Sequence, residues 1–211
     1  MTTFTLSAPQ ILALSSLAHA GTRDKFTPIL GGVRIHATPS TITATATDRY
    51  MAASLAFPLG DTVHTLPDEG ISVTIDSPDL VTLAKEKCGF SLTFDPAANA
   101  AQSVPITAEG VGYGIVRAFP SLAGNFPPVE RLFPDDAADD IPRGMCLNMA
   151  LLGRLAKLIL PGEKSASVAA KSPWCLSYKD ASTGNKLAPV LCTRESGTAS
   201  YRVLVQPNIR P

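Results

Sequence analysis

Histidines and one Asp-Arg pair are the residues of this sequence whose types could support acid–base or metal chemistry. His19, His36 and His64 stand far apart, and neither an HExxH motif nor another metal-ligand spacing includes them. Asp48 and Arg49 are adjacent, but no nucleophile–base pair accompanies them. The spacing of these residues argues against an active site, and we expect a protein that is not an enzyme.

The cysteines and glycines supply no cofactor motif either. The cysteines are spread along the chain without a CxxC pair, which favours buried free thiols over a zinc site or a disulfide framework; they are Cys88, Cys146, Cys175 and Cys192. Gly31 and Gly32 lead into a predicted strand, whereas a phosphate-binding loop leads into a helix. We expect neither a metal ion nor an organic cofactor.

The composition is that of an ordinary globular protein. In 211 residues, 18 Lys and Arg balance 18 Asp and Glu, and 45% of the residues are hydrophobic. This is typical of one or two domains and does not by itself indicate a nucleic-acid binder. The opening segment MTTFTLSAPQ lacks the basic and apolar regions of a signal peptide, and no apolar run approaches the roughly 20 residues of a membrane span. We therefore expect a soluble, intracellular protein.

The elements that must position these residues occur in one order three times. The first copy is a strand at 4–8, a helix at 7–20 and strands across 31–40 and 41–58, with a turn at 38–40. The second copy is a strand at 70–76, a helix at 77–87 with Ser77 as N-cap, and strands at 89–95, 103–109 and 113–119. The third copy is a strand at 144–149, a helix at 150–159, and strands at 165–172, 174–181, 187–194 and 200–207.

A βαβββ unit that recurs at intervals of roughly 60–80 residues is an internal structural repeat. Each helix has one apolar stripe, so we expect an α+β fold with the helices on one face of antiparallel sheets. The segment NFPPVERLFPDDAADDIPRG, residues 125–144, has the proline and aspartate content of a junction. We expect a complete domain of two units at 1–120, a Pro/Asp-rich linker at 121–143, and a half-domain or shortened domain at 144–211.

Four segments, in order and over nearly the whole chain, resemble the bacterial DNA polymerase III β subunit, the DNA sliding clamp family. The first segment, FTLSAPQILALSSLAHA…FTPILGGVRIHATPSTITATATDRYMAA, resembles an opening half-domain, with the elements Pro28-Ile29-Leu30 and Thr45-Ala46-Thr47-Asp48. NFPPVERLFP resembles the family's Phe-Pro-x-x-x-Arg segment between domains, and CLNMALLGRLAKL resembles its Phe-Asn-x-x-x-Leu-Leu-x-x-Leu helix start. APVLCTRESGTASYRVLVQPNIRP resembles its closing strands. The chain is much shorter than the family's three-domain subunit, and Gln206 stands beside a proline where the family usually has methionine.

The resemblance implies the DNA-clamp fold and a protein that performs no reaction. Members of the family close into a ring around duplex DNA and tether the replicative polymerase. Basic side chains on the helices that line the ring attract phosphates without reading bases. The residues that the resemblance assigns to this sequence-independent DNA contact are Arg23, Lys25, Lys85, Lys87, Arg154 and Lys157. Arg154 and Lys157, spaced three apart, are expected to share one face of the third helix.

The resemblance also implies a groove for short hydrophobic peptides of the polymerase and the clamp loader. It lies beside the C-terminal strand in the family, and the matching residues here are Leu204, Gln206, Pro207 and Ile209. Alternate residues of that strand must in any case be buried.

The assembly and the origin follow from the same resemblance. Twelve βαβββ units surround the DNA in clamp rings, so three units per chain predict a tetramer, whereas a shortened but complete second domain predicts a trimer.

The compact form suggests a phage-encoded clamp, in the cytoplasm of a bacterial cell or of an infected host. The alternative function is that of a non-catalytic, β-rich assembly protein of a viral particle.

Overall fold

Two antiparallel sheets form the framework of this α+β protein, and its helices pack against one face of them. The computed structural model describes residues 1–22, 24, 26–96, 102–133, 147–163, 172–178 and 189–207. The strands of this part of the chain are β1 (Thr2–Leu6), β2 (Gly32–Ala37), β3 (Thr41–Thr47), β4 (Met51–Pro58), β5 (Ile71–Asp76), β6 (Phe90–Phe94), β7 (Pro105–Gly110), β8 (Val116–Pro120), β9 (Cys175–Tyr178), β10 (Val190–Ser196) and β11 (Ala199–Val205). The helices are α1 (Ala8–Ser16), α2 (Ser77–Lys85) and α3 (Met149–Leu155), none of them long and apolar enough to span a membrane.

Residue alternation explains why the strands lie as they do. Along β3, Ile42, Ala44 and Ala46 are buried in the main core. Thr43 and Thr45 must therefore lie on the opposite face, because successive side chains of a strand point to opposite sides. We call this the outer face of the sheet, since the helices contribute to the main core on the other side.

The first two repeats are interlocked by exchange of their first strands. The four-stranded sheet has the order β1-β6-β7-β8, so the first strand of the chain joins the strands of the second repeat. In the other sheet β5 pairs with β2, so the first strand of the second repeat joins the strands of the first. The two helices pack against each other. The predicted βαβββ repeat is thus present as a pseudo-symmetric pair.

The C-terminal strands extend the sheet of the first repeat. The seven-stranded sheet has the order β5-β2-β3-β4-β11-β10-β9, and β11 pairs antiparallel with β4 with Val203 opposite Ala53. The main core is continuous across this junction, because it contains residues from β1 through β11, including Phe4, Leu155 and Tyr201. The boundaries at 1–120, 121–143 and 144–211 stay a prediction.

The helix starts differ in part from the sequence prediction. At α1, Ser7 holds the N-cap position, and the side-chain oxygen of Gln10 accepts hydrogen bonds from its backbone N–H and its hydroxyl. At α2 the predicted N-cap is wrong: Asp76 holds that position. The hydroxyl of Ser77 instead donates to the carbonyl of Gly31, so it is engaged outside its own helix.

The third repeat differs most. The strand predicted at 144–149 is wrong for its described residues, because Met149 opens α3 and Asn148 caps it by accepting a hydrogen bond from the Ala150 N–H at 2.9 Å. Asparagine offers the free N–H groups of a helix start an acceptor, which opposes continuation as a strand. The strand predicted at 165–172 falls, except for Ser172, outside the described residues.

Candidate functional site

An apolar cavity of about 150 Å³ opens on the outer face where three distant segments meet. These are the turn between β3 and β4, the segment at 125–133, and the end of β11. The cavity is lined by Thr47, Arg49, Tyr50, Met51, Ala52, Pro127, Val129, Leu132, Pro189, Leu204 and Gln206. We call it the apolar groove, and we call residues 125–133 the junction segment.

Local hydrogen bonds fix the turn between β3 and β4. The Asp48 carboxylate accepts from the backbone N–H groups of Tyr50 and Met51 at 3.0 and 2.8 Å, as aspartate does in tight turns. The hydroxyl of Thr47 donates to the carbonyl of Met51 at 2.8 Å. Arg49 has a φ of 79°, a left-handed conformation that is costly for a side chain of this size. This turn presents Tyr50, with 68% of its surface exposed, at the rim of the groove.

Apolar packing holds the junction segment on the sheet. Val129 and Phe133 are buried against Leu191 and Leu204 in a second, small core on the outer face. The guanidinium carbon of Arg202 lies 5.3 Å from the centre of the Phe133 ring, within the range of a cation–π contact. The prolines and the short 3-10 turn at Val129–Leu132 leave Leu132 61% exposed at the groove.

The structure brings together two of the four residues predicted for this groove. Leu204 and Gln206 line it, and the N–H of Gln206 donates to the carbonyl of Tyr50 at 3.0 Å. Pro207 is buried but is not part of the lining, and Ile209 falls outside the described residues. Sequence reasoning missed the turn and the junction segment as groove walls, although both TATDRYMAA and NFPPVERLFP carried the resemblance to clamps.

Three of the predicted DNA-contacting lysines, Lys85, Lys87 and Lys157, are described and exposed, but two of them lie beyond the helices. Lys85 is the last residue of α2. Lys87 follows that helix with a φ of 57°, and Lys157 follows α3, which ends at Leu155. The helix ends between Arg154 and Lys157, and their expected shared face stays a prediction. Arg23 and Lys25 fall outside the described residues.

Arg154 has structural partners that the sequence did not indicate. Its Nη1 lies 2.5 Å from Asp48 Oδ2, its Nη2 donates to the Gly21 carbonyl at 3.3 Å, and its Nε donates to the carbonyl of His19. Only 21% of its side chain is exposed. These bonds tie α3 to the β3–β4 turn and to the segment that follows α1. DNA contact by Arg154 stays a prediction, and a mobile cation is not the role that this geometry favours.

A buried polar network attaches the C-terminal strands to α1. The Tyr201 and Ser16 hydroxyls lie 2.8 Å apart, and the Ile159 N–H donates to the Ser16 hydroxyl at 2.9 Å. Complete burial raises the pKa of the Tyr201 phenol well above its usual range. Nearby, Arg194 Nη2 lies 2.6 Å from Glu163 Oε2 and its guanidinium stacks 5.0 Å from the Trp174 ring centre. The network positions β11, which ends at the apolar groove.

Within the described parts of the chain, no group of three or more His, Cys, Asp or Glu side chains could hold a metal ion. Cys88, Cys175 and Cys192 are free thiols, but the expected burial is wrong for Cys175, which is exposed, and Cys146 falls outside the described residues. Burial raises the pKa of Cys192 to about 12, so this thiol is not a nucleophile at neutral pH.

Solved structures similar to this chain include bacterial DNA polymerase sliding clamps. The clamp of Pseudomonas aeruginosa aligns with a TM-score of 0.63 and 12% identity over 98% of this chain and 66% of its own. The clamp of Bacillus subtilis aligns with a TM-score of 0.52 and 17% identity over 98% of this chain and 49% of its own. The DNA polymerase III β chain of Streptococcus pneumoniae aligns with a TM-score of 0.53 and 17% identity over 99% of this chain and 50% of its own.

This chain thus spans about half the length of the Bacillus and Streptococcus proteins. No protein-family model and no curated protein matches its sequence. The structural likeness nevertheless covers almost the entire chain, and it extends to several bacterial clamps. The chain has the fold of the bacterial DNA polymerase III β sliding clamps.

Proposed function

We propose that this protein is a sliding clamp, a non-catalytic processivity factor that encircles duplex DNA and tethers a DNA polymerase. Its partners would be double-stranded DNA, the polymerase and a clamp loader, in the cytoplasm of a bacterial cell or of a phage-infected one. The observation that carries the proposal is the apolar groove. Three segments that separately resemble clamps in sequence meet there as one cavity on a clamp fold.

The groove has the chemistry of a site for short hydrophobic peptides. Ala52, Val129 and Leu204 give it an apolar floor, and the exposed Tyr50 and Leu132 extend its rim. Exposed aromatic and aliphatic side chains at a cavity are typical of surfaces that bind another protein. A clamp needs such a site because the polymerase must be held by a contact that does not interfere with sliding.

DNA binding is supported by the exposed Lys85, Lys87 and Lys157. We propose that Arg23, Lys25 and Arg154 contact DNA together with these lysines. The zero formal net charge of the chain favours weak, local attraction over tight binding. Weak attraction suits a protein that must slide along the phosphate backbone and hold no single phosphate.

Ring formation is supported by the exposed strand β8. It lies at one end of the four-stranded sheet, and Val116, Arg117, Ala118 and Pro120 in it are exposed. An exposed edge strand offers unpaired backbone groups to another chain. We propose a homo-oligomeric ring of three or four copies.

Peptide binding tests the proposal most directly. A fluorescent peptide with leucine and phenylalanine anchors should bind the wild-type protein, and Tyr50→Ala with Leu132→Ser should weaken binding at least about tenfold, because exposed anchors at a binding cavity contribute on the order of 1–2 kcal/mol each. Tyr113→Ala is the matched control, since Tyr113 is equally exposed at 68% but lies outside the groove. Equal binding by both variants would contradict a peptide-binding role for this groove.

A further inference from the structure

A second cavity lies beside the apolar groove on the outer face, along the same junction segment. It has a volume of about 380 Å³ and is polar, being lined by Arg34, His36, Thr43, Thr45, Glu130 and Arg131 together with Pro128. We call it the polar cavity. The tethering function proposed above makes no use of it.

Strand β3 runs through both cavities. Thr45 lines the polar cavity and Thr47 lines the apolar groove, on the same face of the strand. Alternate residues of a strand are about 7 Å apart, so the polar cavity at Thr45 lies about 7 Å from the apolar groove at Thr47. A single extended peptide is therefore long enough to occupy both.

The junction segment forms the ridge between the two cavities. Pro127 and Val129 line the apolar groove, whereas Pro128 and Glu130 line the polar cavity. A peptide that crosses this ridge passes from an apolar to a basic surface. The order of these two surfaces specifies the chemistry of the peptide.

Arg34 is the central charge of the polar cavity, and its contacts are loose. In the sheet it lies opposite Thr45 on β3. Its Nη1 is 3.6 Å from Glu130 Oε1 and its Nη2 is 3.5 Å from the Ser72 hydroxyl, both at the outer limit of useful contact. The Glu130 side chain is 42% exposed, and ion pairs as exposed as this contribute little to stability. A carboxylate from a partner can therefore replace Glu130 at small cost.

The rest of the cavity adds donors for a carboxylate. Arg131 is exposed at its edge, and the Thr45 hydroxyl, which contacts Glu130 Oε1 at 3.4 Å, is available once Glu130 moves. Among the described residues that line the cavity, the only acidic side chain is Glu130 itself, against two arginines. The charge balance of the polar cavity thus favours an acidic ligand.

We propose that the polar cavity binds an acidic side chain of the same partner peptide whose apolar residues occupy the apolar groove. This inference rests on the proposed peptide-binding function and adds a specificity rule to it. At about 3.3 Å per extended residue, two or three residues separate the acidic side chain from the nearest apolar anchor. Partners that carry the acid are bound in preference to partners with the apolar anchors alone.

Three fluorescent peptides test the proposal by anisotropy at low ionic strength. All carry the same leucine and phenylalanine anchors. The first peptide has two asparagines after the anchors, the second has two aspartates after the anchors, and the third has two aspartates before them. One aspartate peptide should bind about fivefold more tightly than the asparagine peptide. Arg34→Gln with Arg131→Gln should abolish that gain and leave the affinity of the asparagine peptide unchanged. Lys85→Gln on α2 is the control for loss of an exposed positive charge, and Arg131→Gln alone repeats the test without altering the contacts of Arg34.

Each outcome decides one part of the scheme. Equal affinity for all three peptides overturns the acidic-subsite inference and leaves the peptide-binding function standing. An aspartate preference that survives Arg34→Gln with Arg131→Gln overturns it as well, because the acid then binds elsewhere. Failure of every peptide to bind the wild-type protein overturns the proposed groove and the inference together.

Discussion

The phenol of Tyr201 lies 2.8 Å from the hydroxyl of Ser16, although one residue is in the last strand and the other in the first helix. Their contact is fully buried and includes the backbone of Ile159, to whose carbonyl the phenol lies at 3.1 Å. The C-terminal strands therefore share both a sheet and a polar network with the first repeat. Because β11 is one wall of the apolar groove, the groove depends on this contact.

Removing the phenol hydroxyl should destabilise the protein without disturbing its surface. Tyr201→Phe leaves Ser16 and two backbone groups without that partner, so we expect the free energy of unfolding to fall by about 1–3 kcal/mol. Urea unfolding followed by circular dichroism measures the change. Tyr113→Phe removes the same atom from an exposed ring and should have no effect. A Tyr201→Phe protein as stable as wild type would show that the hydrogen bonds add nothing beyond packing.

Alkaline pH should weaken the fold through Tyr201 and Cys192. Burial raises the pKa of both groups in the folded state, to about 12 for Cys192, so the folded protein keeps protons that the unfolded chain loses. The stability is unaffected below the unfolded pKa values of about 8.5 and 10, and it falls as pH rises through and beyond them. The slope approaches about 1.4 kcal/mol per pH unit for each group.

Urea unfolding at a series of pH values from 8 to 11 checks this slope. Cys192→Ala should flatten the part of the stability profile that begins near the unfolded thiol pKa of about 8.5. Tyr201→Phe should flatten the part that begins near the unfolded phenol pKa of about 10. The exposed Cys175→Ala is the control and should leave the slope as in wild type. A pH profile that is identical in all variants would assign the alkaline loss to other groups.

The local features of this fold were predictable from the sequence, and the non-local ones were not. Alternation in TITATAT and the proline near the start of α1 determine elements whose causes lie within a few residues. The groove requires β11 to pair with β4, a contact between residues about 150 apart that no local pattern specifies. Of the residues that line the groove, the sequence predicted only Leu204 and Gln206, because the resemblance placed groove residues only in the C-terminal segment. The contacts of Arg154 could not be predicted for the same reason, because its partners Asp48, His19 and Gly21 are remote in sequence.

Arg154 and Lys157 should respond differently to neutralisation. Arg154→Gln removes a half-buried partner of Asp48 and two backbone carbonyls, so we expect a loss of about 1–3 kcal/mol in the free energy of unfolding. Lys157→Gln removes an exposed charge, and surface substitutions of this kind change stability by less than about 0.5 kcal/mol. Thermal and urea unfolding of the two variants give the comparison. Equal stability of both variants would mean that the contacts of Arg154 contribute nothing.

Duplex DNA affinity should depend on the exposed lysines and on salt. Lys85→Gln, Lys87→Gln and Lys157→Gln together should lower the slope of log affinity against log salt by up to about 3, since each phosphate contact contributes about 0.9. Titrating labelled duplexes of two unrelated sequences at several salt concentrations measures both slope and sequence independence. Arg131→Gln, which removes an exposed charge on the outer face of the sheet, is the control for loss of charge. Affinity that does not change with salt would exclude phosphate contacts as the basis of binding.

The ring should depend on the exposed edge of β8. Val116 is 57% exposed there, and Ala118 is exposed two residues on, so neither side chain is needed to bury the core of a single chain. Lysines on an edge strand oppose pairing with another chain by charge and by desolvation. Val116→Lys with Ala118→Lys should therefore shift the native mass from three or four chains to one while unfolding stays cooperative. Val63→Lys, at a position that is 88% exposed and outside the strands, should leave the assembly intact. Native mass spectrometry separates a trimer from a tetramer directly, and a wild-type protein that is monomeric at micromolar concentration would rule out a self-assembled ring.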